Sequence, residues 1–106
     1  MSDQVEASHI LLMYEGSARS NATRSKDDAM AEITRLKTEI DGGADFAQLA
    51  GEHSDCPSGS DGGSLGRFGK GQMVKAFEDA AFSLGVGETS DVIETEFGYH
   101  LIQRTA

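Results

Sequence analysis

The chain has 106 residues, enough for one domain and a modest core, with Lys and Arg at nine, Asp and Glu at eighteen and a net charge of −9. That charge argues against partners built on phosphate neutralisation, so nucleic acid is excluded, as is an anionic membrane surface; solubility and a monomeric state are favoured instead. A chain of this size buries roughly 60–70% of its unfolded surface, so it needs no metal or disulfide staple.

The first residues, Met1 to Glu6, are polar and acidic, with no basic or apolar segment of a signal peptide. The longest apolar run near them, Ile10 to Met13, is far too short to span a bilayer. A single cysteine, Cys56, fits a reducing compartment, and the expected location is the cytoplasm. The initiating Met1 and the absence of any linker are taken to mean a whole protein, residues 1–106 forming one domain.

Val5 to Tyr14 reads as a strand. Val5, Ala7, His9, Leu11 and Met13 share one face and Ile10 and Leu12 the other, so both faces are apolar and the strand is central. Residues Glu15 to Arg24 form a polar loop. Ser25 is an N-cap, Asp27 and Asp28 suit a first helical turn, and Ala29, Ile33, Leu36 and Ile40 recur at helical spacing up to Gly42 and Gly43. Asp45 caps a second, shorter helix with Phe46, Leu49 and Ala50 as its buried stripe.

Ser54 to Gly71 is irregular, holding six of the thirteen glycines and the only proline, with a short strand at Ser64 to Phe68. Lys75 to Leu84 is the third helix, anchored by Phe77, Ala81 and Phe82 and closed by Gly85. Thr89 to Ile93 is a short strand, Gly98 marks a turn, and Tyr99 to Arg104 is the last strand.

Three groups carry candidate chemistry. His9 and His100 lie in strand-like runs near opposite ends of the chain; they either form a pair or each has its own partner. Cys56, on a polar loop beside Ser54 and Asp55, is either a reactive thiol or a small buried hydrophobe. Cysteine, histidine and aspartate are the raw material of a cysteine hydrolase, but no local motif of a nucleophilic cysteine surrounds Cys56. His53 and Cys56 have a metal-like spacing that no second pair completes, so no metal is expected. Gly69-Lys70-Gly71 lacks the hydroxyl and the spacing of a phosphate-binding loop, and no cofactor is expected. Met73 and Phe77 share a helical face and, with Leu65, line an apolar pocket or simply pack a core.

Five segments in order resemble the parvulin family of peptidyl-prolyl cis/trans isomerases. They are Ser8-His9-Ile10-Leu11, Asp45 to Ala50, Ser54-Asp55-Cys56, Gly63 to Met73 running on to Phe77-Glu78, and Phe97 to Ile102. The resemblance implies an α+β fold of the FKBP-like type, a four-stranded antiparallel sheet surrounded by about four helices. It implies that His9 and His100 lie side by side beneath the active site, with Thr95 nearby. It places Leu65, Met73 and Phe77 around the substrate proline and Cys56 at the position of an active-site cysteine. Ser54 is expected among the catalytic residues as part of the polar surroundings that the histidine pair fixes. The expected substrates are proline-containing peptides and client proteins, with a non-catalytic chaperone module as the alternative.

Cys56 and Gln72-Met73 resemble the branch directed to phosphoserine-proline and phosphothreonine-proline. That branch reads phosphate with clustered basic residues after the first strand. Here the loop offers Arg19 and Arg24, Met13 stands where the branch has lysine, and Phe97 follows ordinary parvulins. The expectation is a modest preference for acidic or phosphorylated residues before proline.

Overall fold

A computed structural model describes residues 4–17 and 22–106. The chain runs β1 (Gln4–Leu12), α1 (Lys26–Asp41), α2 (Phe46–His53), a 3-10 turn (Pro57–Asp61), β2 (Ser64–Gly69), α3 (Lys75–Ser83), β3 (Ile93–Thr95) and β4 (Gly98–Arg104). The strands form one antiparallel sheet in the order β2-β1-β4-β3. Strands from the two ends of the chain are therefore its central pair, which is why His9 and His100 sit on neighbouring strands.

Local chemistry sets most boundaries. The Ser25 hydroxyl accepts from the Asp28 amide at 3.0 Å, and the Asp45 carboxylate accepts from the Ala47 amide at 3.2 Å, starting α1 and α2 where capping residues stand. β1 stops at Leu12 and not at Tyr14, because Asp55 takes the Met13 amide at 2.9 Å and Ser17 takes the Tyr14 amide at 3.2 Å. The expected strand at Thr89–Ile93 lies later, at Ile93–Thr95; Thr89 makes an isolated bridge to Gln103, and the Ser90 hydroxyl accepts the Ile102 amide at 3.0 Å. The 3-10 turn begins at the lone Pro57, inside the segment expected to be irregular.

Alternation sorts the core into two layers. Ile10, Leu12, Tyr99 and Leu101 pack against Ala29, Ile33 and Leu36 of α1 and Phe46, Leu49 and Ala50 of α2. Val5, Ala7, Ile102 and Phe68 pack against Phe77 and Ala81 of α3. His9 and His100 share this second face.

Two glycines are required by close backbone approach. At Gly63 (φ +85°) a Cβ would collide with the His9 carbonyl, whose own amide donates to the Gly63 carbonyl at 2.9 Å. Gly98, expected to mark a turn, opens β4 instead; at φ +142° its missing Cβ makes room for the Leu12 carbonyl. Among the described residues no helix is long and apolar enough to cross a membrane.

Candidate active site

β1 and β4 pair His9 with Ile102 and Leu11 with His100, so the two imidazoles are diagonal neighbours on one face. Their Nδ1 atoms lie 3.2 Å apart and their rings are near parallel, 21° between planes. The His100 Nε2 lies 2.7 Å from the Thr95 hydroxyl, which also accepts the Phe97 amide at 3.2 Å. Both rings are buried, and Phe77 meets each edge-on at 5.5 and 5.6 Å.

Burial disfavours the imidazolium. Desolvation lowers His9 to about 4, and desolvation together with repulsion from His9 lowers His100 to about 4. Both rings are thus neutral at pH 7, and one Nδ1–H must donate to the other Nδ1. The His9 Nε2 is buried with no partner among the described residues, a polar atom whose isolation costs about 1–3 kcal/mol. This is a fixed polar pair in a dry setting, unsuited to carrying a proton at neutral pH.

Above it opens a cavity of about 260 Å³ lined by Leu65, Met73 and Phe77, by both histidines and by Cys56. The three apolar residues that the sequence grouped into a pocket do converge. Gln72, Val74 and Phe97 complete the lining without having been predicted there. A signal for Val74 exists, since it is apolar at the helix start, where a capping residue is normal.

The Ser54–Cys56 loop is strapped across β1. The Ser54 hydroxyl accepts from the Leu11 amide at 3.1 Å and the Cys56 amide at 3.3 Å, and the Asp55 amide donates to the Leu11 carbonyl at 2.7 Å. Ser54 braces the loop and does not line the cavity; Thr95 likewise lies outside the lining and touches His100. The Cys56 thiol accepts from the Ser58 hydroxyl at 3.2 Å, and among the described residues no imidazole bonds to it. The nucleophile–base contact of a cysteine hydrolase is not formed.

Arg24 lies beside this loop with its guanidinium engaged: one nitrogen donates to Asp55 at 2.5 Å and to the Met13 carbonyl at 2.8 Å. Arg19 lies outside the described residues.

A sheet with a neutral histidine pair under an apolar cavity defines a parvulin-type domain. The family model described as the PPIC-type PPIASE domain matches residues 1–106. The peptidyl-prolyl cis-trans isomerase Pin1 of Digitalis lanata is 43% identical over 98% of this chain and 98% of its own length. Among solved structures, the isomerase ESS1 of Candida albicans superposes with a TM-score of 0.91 at 38% identity, over 98% of this chain and 63% of that one. The parvulin NmPin of Nitrosopumilus maritimus superposes at 0.70 with 42% identity, over 100% and 99% of the two chains. The chain belongs to the PPIC-type, or parvulin-type, peptidyl-prolyl cis/trans isomerases.

Proposed function

We propose that the cavity holds a substrate proline between Leu65, Met73 and Phe77 while the chain before it rotates over the histidine pair. The unaided bond crosses a barrier of roughly 18–20 kcal/mol and takes tens to hundreds of seconds. A twisted amide has lost its resonance and carries less charge separation than the planar form. An apolar cavity therefore favours the twisted state over the ground state, and each 1.36 kcal/mol so gained is about tenfold in rate. Burying the ring fixes one end, so that the other can turn against it.

The neutral, sealed pair His9–His100 is the observation that carries this reading. A ready base would have to gain and lose protons near pH 7; this pair holds a constant dipole under the bond. Cys56 shapes the field at the rotating carbonyl and forms no covalent bond. Ser54 and Thr95 are positioning residues, the first for the Cys56 loop and the second for His100.

Arg24 supports a modest preference for an acidic or phosphorylated residue before proline, without dependence on it. Its guanidinium already neutralises Asp55, so a substrate carboxylate or phosphate gains only what that partner leaves. The substrates are proline-containing segments of client proteins, met by a monomer of one domain in the cytoplasm.

Exchange spectroscopy by NMR on short Xaa-Pro peptides tests the scheme. Accelerated cis/trans exchange with intact peptide is expected. Binding without acceleration would make the chain a chaperone module, and cleavage or a trapped adduct on Cys56 would replace the non-covalent mechanism. Comparing Ala-Pro, Glu-Pro and phosphoserine-Pro at two salt concentrations tests the preference, and equal rates throughout would remove it.

A further inference from the structure

Val74 precedes the first residue of α3, where Ser, Thr, Asp or Asn usually accepts a hydrogen bond from the amides of the first turn. Valine makes no such bond. Nor does its side chain join either core layer: it is 39% exposed, one of three large hydrophobics left in solvent among the described residues. The position forgoes a cap and also leaves apolar surface in water. Breaking a local rule twice at the mouth of an active site is the pattern of a residue kept for function. Val74 lines the same cavity as Met73 and Phe77.

We propose that Val74 is a specificity-determining residue whose branched side chain forms a subsite for an apolar residue following the substrate proline. The proposal rests on the proline-pocket reading above. Polar groups gather at the Cys56 loop, where Asp55 precedes the thiol and is paired with Arg24 from outside the loop, and these suit the residue before proline. Val74 stands instead just ahead of α3, next in the chain to Met73, on the apolar side of the cavity lining, where it would cover apolar substrate atoms as they leave the ring pocket. Each methylene it removes from water is worth about fourfold in kcat/KM.

The test compares Glu-Pro-Leu with Glu-Pro-Gly peptides on the wild type, Val74→Thr and Val74→Ile. Threonine keeps the shape, trades a methyl for a hydroxyl and supplies the missing cap. The expected wild-type ratio of kcat/KM is at least about fourfold in favour of Leu. The ratio should fall toward one in Val74→Thr while its Tm rises, and should persist in Val74→Ile. A wild-type ratio of one with both peptides isomerised overturns the subsite and leaves the proline pocket standing. An unchanged ratio in Val74→Thr also overturns it. Failure to isomerise either peptide overturns the pocket reading itself.

Discussion

Acidification should destabilise this protein well before most carboxylates are protonated. In the unfolded chain a histidine titrates near 6.5; in the fold burial holds His9 and His100 down to about 4. Between those values the unfolded state binds protons that the folded state refuses, so stability present above about pH 6.5 is lost as the pH falls toward 4. Integrating that linkage from pH 7 to pH 5 gives a loss of roughly 2 kcal/mol per histidine and roughly 4 for the pair. Against a usual total of about 5–15 kcal/mol, that is a large fraction. Urea titrations followed by circular dichroism at pH 7.5, 6.0 and 5.0 measure it. The double variant His9→Leu, His100→Leu should show a much flatter pH dependence. Wherever the protein remains folded, kcat/KM should hold from neutrality down to about pH 5, because the folded pair stays neutral there. A stability independent of pH between 7 and 5, or imidazole NMR signals of His9 and His100 that titrate near 6.5 in the folded protein, would refute the dry-pair argument.

Gly63→Ala forces a Cβ into the His9 carbonyl at positive φ, and should cost at least about 3 kcal/mol; an unchanged urea midpoint would sink the claim of close approach. Thr95→Val removes the hydroxyl shared by His100 and the Phe97 amide, with an expected loss of about 1–3 kcal/mol and lower turnover. Thermal melts and exchange rates on that variant decide whether Thr95 orients His100 at all. Asp55→Ala breaks a partly exposed ion pair and removes the acceptor of the Met13 amide, and should cost about 1–2 kcal/mol. Because Asp55 also holds the Met13 amide, the Cys56 loop should loosen and kcat/KM fall several-fold; full activity in that variant would mean that the strap has no catalytic role.

The elements with strong local chemistry were legible in advance. Ser25 and Asp45 announce α1 and α2 because a side-chain oxygen meets first-turn amides only a few residues away. The stripes Ala29, Ile33, Leu36 and Phe46, Leu49, Ala50 are buried as their spacing requires. The apolar lining was legible through the family resemblance: Leu65, Met73 and Phe77 do converge on one cavity, although Met73 lies ahead of α3 and not on a helical face shared with Phe77. Features set by partners distant in the chain were not. Asp55 ends β1 early from 42 residues away, and Ser90 replaces a ladder partner where a strand was expected. Val74, Phe97 and Gln72 reach the cavity only once α3 and the β3–β4 turn are folded around it.

Alternation along β1 puts His9 on the face of Val5 and Ala7, and alternation along β4 puts His100 on the face of Ile102; both follow from the pleat and from sequence alone. The tertiary structure decided that these faces are the same face, by making the terminal strands central neighbours with Leu11 opposite His100. It also decided the chemistry of the pair. A histidine in sequence is a switch near neutral pH; packing under Phe77 and 3.2 Å from its twin makes each imidazole neutral. Desolvation is a property of what surrounds a group, and those surroundings exist only after the two ends of the chain have met.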